Sequence, residues 1–248
     1  MKRKTLVRYF GIISVSLAIA SVTAVYSIIE YMLIEKHNIN SVSNSEIPTF
    51  TVVIDAGHGG EDGGAVGVSG VLEKDLNLEI SKELHCLFSL TDIPVVMTRT
   101  CDEMLYKDGQ ENNKKTYDLR NRVEKTNSVS SPLFISIHQN KFPVEKYKGL
   151  QVYYSGNNQQ SKNVAQLIQK KTSTFLQTDN KREIKKAGRS IYILHRLDCP
   201  AVLVECGFLS NKDEEALLNT ELYKRKIAFV IFSSVMDFMN ENSESNGV

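Results

Sequence analysis

Two imidazoles and two carboxylates stand in this chain where secondary-structure elements should begin or end. His58 follows the apolar run Phe50–Ile54 by a few residues, inside "IDAGHGGEDGG". His138 stands toward the end of "FISIHQN", Glu205 toward the end of "PAVLVECGF", and Glu73 opens a stretch of helical periodicity. In an open parallel sheet, ligands collect beyond the carboxyl ends of strands. The three strand ends would therefore bring two imidazoles and a carboxylate to one edge. Two histidines with one glutamate make a catalytic zinc set that leaves a coordination position for water. Spacing leaves open which carboxylate joins it: Glu205 at a strand end, or Glu73 at a helix start, where the helix dipole also favours negative charge.

Each residue alone has a plainer reading. A strand-end histidine is an ordinary hydrogen-bonding group, Glu73 a helix-start charge, and Glu205 half of a salt bridge. Their convergence argues for a site, as does the apolar "AVLV" leading into Glu205, because an ionised carboxylate in such surroundings needs a partner. The other histidines do not converge. His37 falls in a polar stretch, His85 lies off the apolar stripe of its helix, and His195 precedes Arg196 in an expected loop.

Six glycines (Gly57, Gly59, Gly60, Gly63, Gly64 and Gly67) surround His58. Such turns let a backbone approach a ligand closely, and phosphates and metal-bound substrates are the two classes that use them. The dinucleotide fingerprint fails, since counting from Gly57 and Gly59 puts Asp62 at the third glycine position. Glu61 and Asp62 would set carboxylates where a pyrophosphate should lie, and no G-K-[ST] sequence is present. The glycines are instead expected to turn the chain tightly around His58 and keep bulk out of a substrate groove.

The elements that position these groups alternate. "TFTVVI", "IPVVMT", "PLFISIHQN", "LQVYYS", "SIYIL" and "PAVLVECGFLSN" read as strands. Glu73–Leu90, "YDLRNRVEKTN", "QSKNVAQLIQKKTSTFL" and one or two C-terminal stretches read as helices, with Leu76, Ile80, Leu84 and Leu87 on one face of the first. Alternating strands and helices imply a single layered α/β domain with a mainly parallel β-sheet flanked by helices. This domain is expected over residues 48–240, followed by a polar tail, 241–248.

The N-terminus is of another kind. Lys2, Arg3, Lys4 and Arg8 precede an uncharged apolar run from Tyr9 to Ile29. At about 1.5 Å per residue, that run reaches across a hydrocarbon core of roughly 30 Å. Residues 1–30 therefore read as one apolar helix, either a membrane anchor or a secretory signal with Val22-Thr23-Ala24 as a small-residue cleavage site. Residues 31–47 read as a linker, and the domain after it as extracytoplasmic. The chain has 248 residues, 42% of them hydrophobic and 24% charged, and its net charge of +1 provides no field to attract nucleic acid. Cys86, Cys101, Cys199 and Cys206 show no C-x-x-C spacing and are expected as mostly buried small hydrophobes, with one disulfide left open.

The blocks "VVIDAGHGGEDGGAVG", "LEKDLNL", "RNRVEKTN", "FISIHQN" and "LVECGFLSN" together resemble the zinc-dependent N-acetylmuramoyl-L-alanine amidases of the amidase 3 type, in order, from about Thr51 to Phe238. The resemblance implies one zinc ion on His58, Glu73 and His138, and Glu205 as the catalytic carboxylate. It implies cleavage of the amide between the muramic acid lactyl group and L-alanine, on peptidoglycan glycan strands with stem peptides. Asn140 and Arg189 are candidate substrate contacts. Lys141 departs from the family, many members of which have a small residue there. Only Lys141–Gly149 separates Asn140 from the next strand, too short for the plugging helix of some regulated members, so control would fall to expression, location, metal supply or a partner.

Within the family the chain looks most like the small amidases of endospore formers that act on cortex peptidoglycan. That likeness implies a linked deacetylase completing muramic-δ-lactam, an accessory secreted protein as a further candidate partner, and the forespore intermembrane space as a location. A zinc peptidase acting on stem peptides is the alternative chemistry. A non-catalytic peptidoglycan binder should have lost a ligand or Glu205, and all four are present.

Overall fold

Val52, Val53, Ile54 and Ala56 are fully buried along β1 (Thr51–Ala56), as a strand covered on both faces requires. The computed structural model of the chain describes Glu30 and residues 50–245. The expected apolar helix and linker (Glu30 aside) and residues 246–248 of the expected tail lie outside the described residues. Among the described residues, no helix is long and apolar enough to cross a membrane.

β2 (Val95–Met97) and β3 (Pro132–Asn140) pair parallel to β1, and β6 (Ala201–Phe208) pairs parallel to β3. β4 (Gln151–Tyr154) runs antiparallel to β6 and carries β5 (Lys185–Lys186) on its outer side. The order is β2-β1-β3-β6-β4-β5. The sheet is thus mainly parallel, and the ends of β1, β3 and β6 lie on one edge.

One face is covered by α1 (Glu73–Phe88), α3 (Gln160–Lys171) and α6 (Glu221–Ser245). Leu76, Ile80, Leu84 and Phe88 form the buried stripe of α1, one residue every turn. The other face is closed by a smaller cluster around Val53, Phe134, Leu194, Leu197 and Leu203, with Leu119 and Val123 of α2 (Lys114–Asn127) packed against it. α5 (Lys212–Leu218) follows β6 directly, with Asn211 capping its N-terminus through a bond from the Glu214 amide.

Three local expectations are corrected: the strand at "SIYIL", the loop at His195 and the burial of the cysteines. "SIYIL" is not a strand: Tyr192–Arg196 form the short helix α4, which contains His195 and buries Ile193 and Leu194 under the sheet. A run of adjacent apolar residues this short has no period that separates strand from helix. The strand nearby is β5, whose two lysines are both exposed and give no apolar signal. The cysteines are not mostly buried. Cys86 and Cys101 are exposed, Cys199 is half-buried and only Cys206 is buried, all four as free thiols. Cys86 falls between the stripe positions Leu84 and Phe88 and so faces outward.

Candidate metal centre

After Ala56 the chain turns at once, and His58 itself adopts the left-handed conformation, at φ +61°. Two glycines beside it answer a steric demand from the site. A Cβ on Gly57 would lie 2.2 Å from Nε2 of His138, and one on Gly64 would lie 2.6 Å from Oε2 of Glu73 and 2.8 Å from Cδ2 of His58. The room these two glycines leave is filled by the site's own side chains, rather than by a groove for substrate.

The turn brings His58 to face His138, ring centroids 4.9 Å apart and edge-to-face. Glu73, the first residue of α1, lies between them: its Oε1 is 2.9 Å from His138 Nδ1 and 3.3 Å from His58 Nε2. Each of the three offers one ligand atom within 4.8 Å of the others. Oε1 also accepts from the Gln139 amide at 3.1 Å, and Oε2 from the Ala65 amide at 2.8 Å. Burial alone would favour the protonated form of Glu73, but the two imidazoles outweigh it and hold the carboxyl well below its usual range.

The donor set fits a divalent cation. Nδ1 of His58 is engaged by Asp62 Oδ2 at 2.9 Å, which turns Nε2 toward Glu73. Burial disfavours a charged His58, yet the Asp62 and Glu73 carboxylates raise its pKa to about 9, so the surroundings call for positive charge between these rings. A dication on Nε2 of His58, a His138 nitrogen and the Glu73 carboxylate supplies that charge and matches the two-histidine, one-glutamate set of hydrolytic zinc sites.

Glu205 sits opposite His138 in the β3–β6 register. Its Oε2 is buried without a hydrogen-bond partner, and burial pushes its pKa up to about 7 despite the two histidines. It is thus a buried carboxyl next to the triad and outside its hydrogen bonds.

A layer beneath the site, which sequence reasoning missed, fixes the His58 backbone. Arg99 and Arg122 are both 1% exposed. Arg122 donates to the carbonyls of Ala56 and His58 at 2.8 and 2.7 Å and to Asp55 Oδ1 at 2.7 Å. Arg99 donates to the carbonyls of Ala56, Gly57 and Lys74 at 2.8, 3.0 and 2.8 Å. Asp55 also accepts from Thr98 and Ser136, each at 2.7 Å. The one signal for this layer was "RNRVEKTN", a polar helix containing Arg122; Asp62 was visible only as an acid out of place in a phosphate loop.

The other expected contacts lie farther out. Asn140 ends β3, half-buried, past a register shift after His138. Arg189 is exposed in the turn before α4, apart from the triad's hydrogen bonds. Lys141 reaches across to the carbonyl of Val66 at 2.8 Å and so ties its loop to the glycine turn.

Known proteins share this fold. The chain is 34% identical over 195 residues to the germination-specific N-acetylmuramoyl-L-alanine amidase of Bacillus subtilis (strain 168), an alignment covering 78% of this chain and 81% of that protein. Among solved structures it is similar to the CwlD amidase from Clostridioides difficile, determined in complex with the GerS lipoprotein. That match has a TM-score of 0.73 and 38% identity, over 77% of this chain and 98% of that one. The amidase AmiC2 of Nostoc punctiforme matches with a TM-score of 0.66 and 28% identity, over 77% and 98% of the respective chains. The family profile for N-acetylmuramoyl-L-alanine amidase matches residues 52–237, and the chain belongs to that family.

Proposed function

We propose that His58, Glu73 and His138 hold one zinc ion, and that the chain uses this centre to cleave the amide between the lactyl group of muramic acid and L-alanine in spore-cortex peptidoglycan. The observation that carries the reading is the meeting of two imidazoles on one buried carboxylate, with the partnerless Oε2 of Glu205 beside them. Zinc held there supplies a Lewis acid that polarises the amide carbonyl and lowers the pKa of water to about 7.

The chain's own residues do the rest. Asp62 fixes the His58 tautomer by accepting from Nδ1, leaving Nε2 as the ligand atom. Glu205 takes the proton of the attacking water on its free oxygen and passes it to the departing alanine amine as the C–N bond breaks. Its burial beside the triad, with one oxygen free of hydrogen bonds, suits it to both transfers. Asn140, at the rim, and Arg189, beyond it, are proposed to contact the substrate.

The germination-specific relative supports the cortex assignment. In that setting the product feeds muramic-δ-lactam formation by a deacetylase. The C. difficile relative was solved with a lipoprotein, which supports an accessory extracytoplasmic partner here. The domain is proposed to work outside the cytoplasmic membrane, held or exported by its apolar N-terminal segment. Peptidoglycan incubated with the full chain, with and without a chelator, should release intact stem peptides bearing a new L-alanine amine, read by mass spectrometry. The Glu205→Gln chain should keep its zinc and release none. Release that persists in chelator, or fragments cut between amino acids, would overturn the reading.

A further inference from the structure

Beyond the metal centre, the nine-residue loop from Lys141 to Gly149 presents an aromatic pair at the same sheet edge. Phe142 is 46% and Tyr147 39% exposed, yet their rings pack edge-to-face, with centroids 4.9 Å apart. Tyr147 leans in turn on the buried Phe208, three residues past Glu205, at 6.4 Å. The loop is held at both ends. Lys141 bonds Val66 in the glycine turn, the Phe142 amide donates to Ser210 Oγ at 3.1 Å, Asn211 donates to the Glu145 carbonyl at 2.7 Å, and the Gly149 amide donates to Glu214 at 2.8 Å. Two large rings thus stay partly in water on a loop tied down at both ends.

Tyr147 also forms one wall of a cleft of about 550 Å³, whose other sides include Asn180, Arg182 and Asp213. Arg182 stacks over Phe208 at 4.4 Å and donates to Gln151, the cross-strand partner of Glu205, at 3.3 Å. The cleft therefore abuts the strand that carries Glu205. Phe142 lies four residues past His138, about 13 Å of extended chain at ~3.3 Å per residue.

We propose that this cleft is a subsite for the glycan strand, with Tyr147, braced edge-to-face by Phe142 outside the cleft, as the ring against which a sugar packs. An aromatic wall with side-chain amide, carboxylate and guanidinium groups suits a pyranose, whose C–H face is apolar and whose rim is hydroxyls. A surface for a protein partner would be larger than this concave cleft, on the order of 800 Å² per side. The proposal rests on the peptidoglycan reading above: the cleaved amide hangs from muramic acid, so a glycan must pass within a sugar or two of the metal. The subsite would favour substrates that keep their glycan over free muramoyl peptides.

The test is binding without turnover. The full chain carrying Glu205→Gln is titrated with bare glycan strands, prepared from peptidoglycan by removing the stem peptides. Adding Phe142→Ala and Tyr147→Ala together should weaken binding about tenfold, adding Asp213→Ala alone should weaken it measurably, and Tyr147→Trp should retain it. With Glu205 intact, the double alanine variant should raise KM on peptidoglycan about tenfold, with kcat within about twofold. Failure of bare strands to bind, equal affinity in the double variant, or a loss confined to kcat would overturn the subsite and leave the aromatic face to a protein partner. Strands that bind through Tyr147 while no peptide is ever released would sink the amidase reading instead.

Discussion

The guanidinium of Arg122 donates to the main-chain carbonyl of His58 at 2.7 Å, so a residue of α2 sets the backbone of a candidate metal ligand 64 positions away. The same group meets Asp55 and, through Nε, Asp118 at 2.8 Å. Arg122→Met would leave the fully buried Asp55 charged and unpaired, and stability should fall by about 3–5 kcal/mol in urea unfolding. Arg122→Lys should recover little, because one ammonium cannot serve carbonyls and carboxylates that a planar fork reaches together. Combining Arg122→Met with Asp55→Asn should cost less than the sum of the two, and strict additivity would refute the coupling.

Asp55 also predicts the acid limb of stability. Burial pushes its pKa up, but Arg122 and the hydroxyls of Ser136 and Thr98 prevail and hold it below the ordinary 3.8. The folded state therefore binds fewer protons than the unfolded chain. The contribution is complete above 3.8 and is lost as pH falls through the folded value. Thermal midpoints should be flat on this account from about pH 5 to 8 and drop below about pH 4. Asp55→Asn should lower the neutral plateau and flatten the acid limb; an acid limb as steep as the parent's would rule Asp55 out as its source.

These two residues mark where sequence reasoning stops. His58, His138 and Glu205 were legible because buried strands announce themselves as apolar runs, and the polar residues that interrupt or follow them stand out, although β3 runs on past His138 to Asn140 and β6 past Glu205 to Phe208. Glu73 was legible as the start of a periodic stretch. Asp55 ends such a run too, but its partners Thr98, Arg122 and Ser136 lie just past β2, in α2 and in β3, and become a set only once the sheet order is known. α4 was misread for a related reason: four adjacent apolar residues carry no period, and burial under the sheet decided their form. The glycines were legible as a tight turn, but their purpose was not, since the atoms they make room for belong to His138 and Glu73, far off in sequence.

Gly57 and Gly70, which lies farther along the same stretch, separate steric demand from backbone strain. Gly57→Ala would set a Cβ 2.2 Å from Nε2 of His138 and force the imidazole aside. Zinc affinity should fall at least about tenfold to a hundredfold, as when a ligand's support is removed. Gly70→Ala meets nothing within 4 Å but must adopt φ +90°. It should cost about 1–2 kcal/mol of stability and leave zinc affinity unchanged. Metal titration followed by thermal melting of both variants reads the two effects; equal zinc affinities would mean that His138 relaxes at no expense to the site.

Glu215 extends the support of the site to the helix that follows Glu205. Its carboxylate, on a residue 3% exposed, accepts from the Ser69 amide at 2.9 and 3.1 Å and from the Ser69 hydroxyl at 3.0 Å. A Cβ on Gly67 would lie 2.0 Å from its Oε1. The glycine turn is thus held at its far end by α5, and the same turn offers the Ala65 amide to Oε2 of Glu73 at 2.8 Å. Glu215→Gln keeps the shape but turns one acceptor into a donor facing the Ser69 amide. It should destabilise the protein by about 1–3 kcal/mol, the penalty for a buried unmatched polar group. If the turn transmits that loss to Glu73, zinc affinity falls with it, and Ser69→Ala, which removes only the hydroxyl bond, gives a smaller change of the same sign. A lower melting temperature with unaltered zinc affinity in both variants would show that Glu73 is held without the turn and that the turn serves stability without serving the metal.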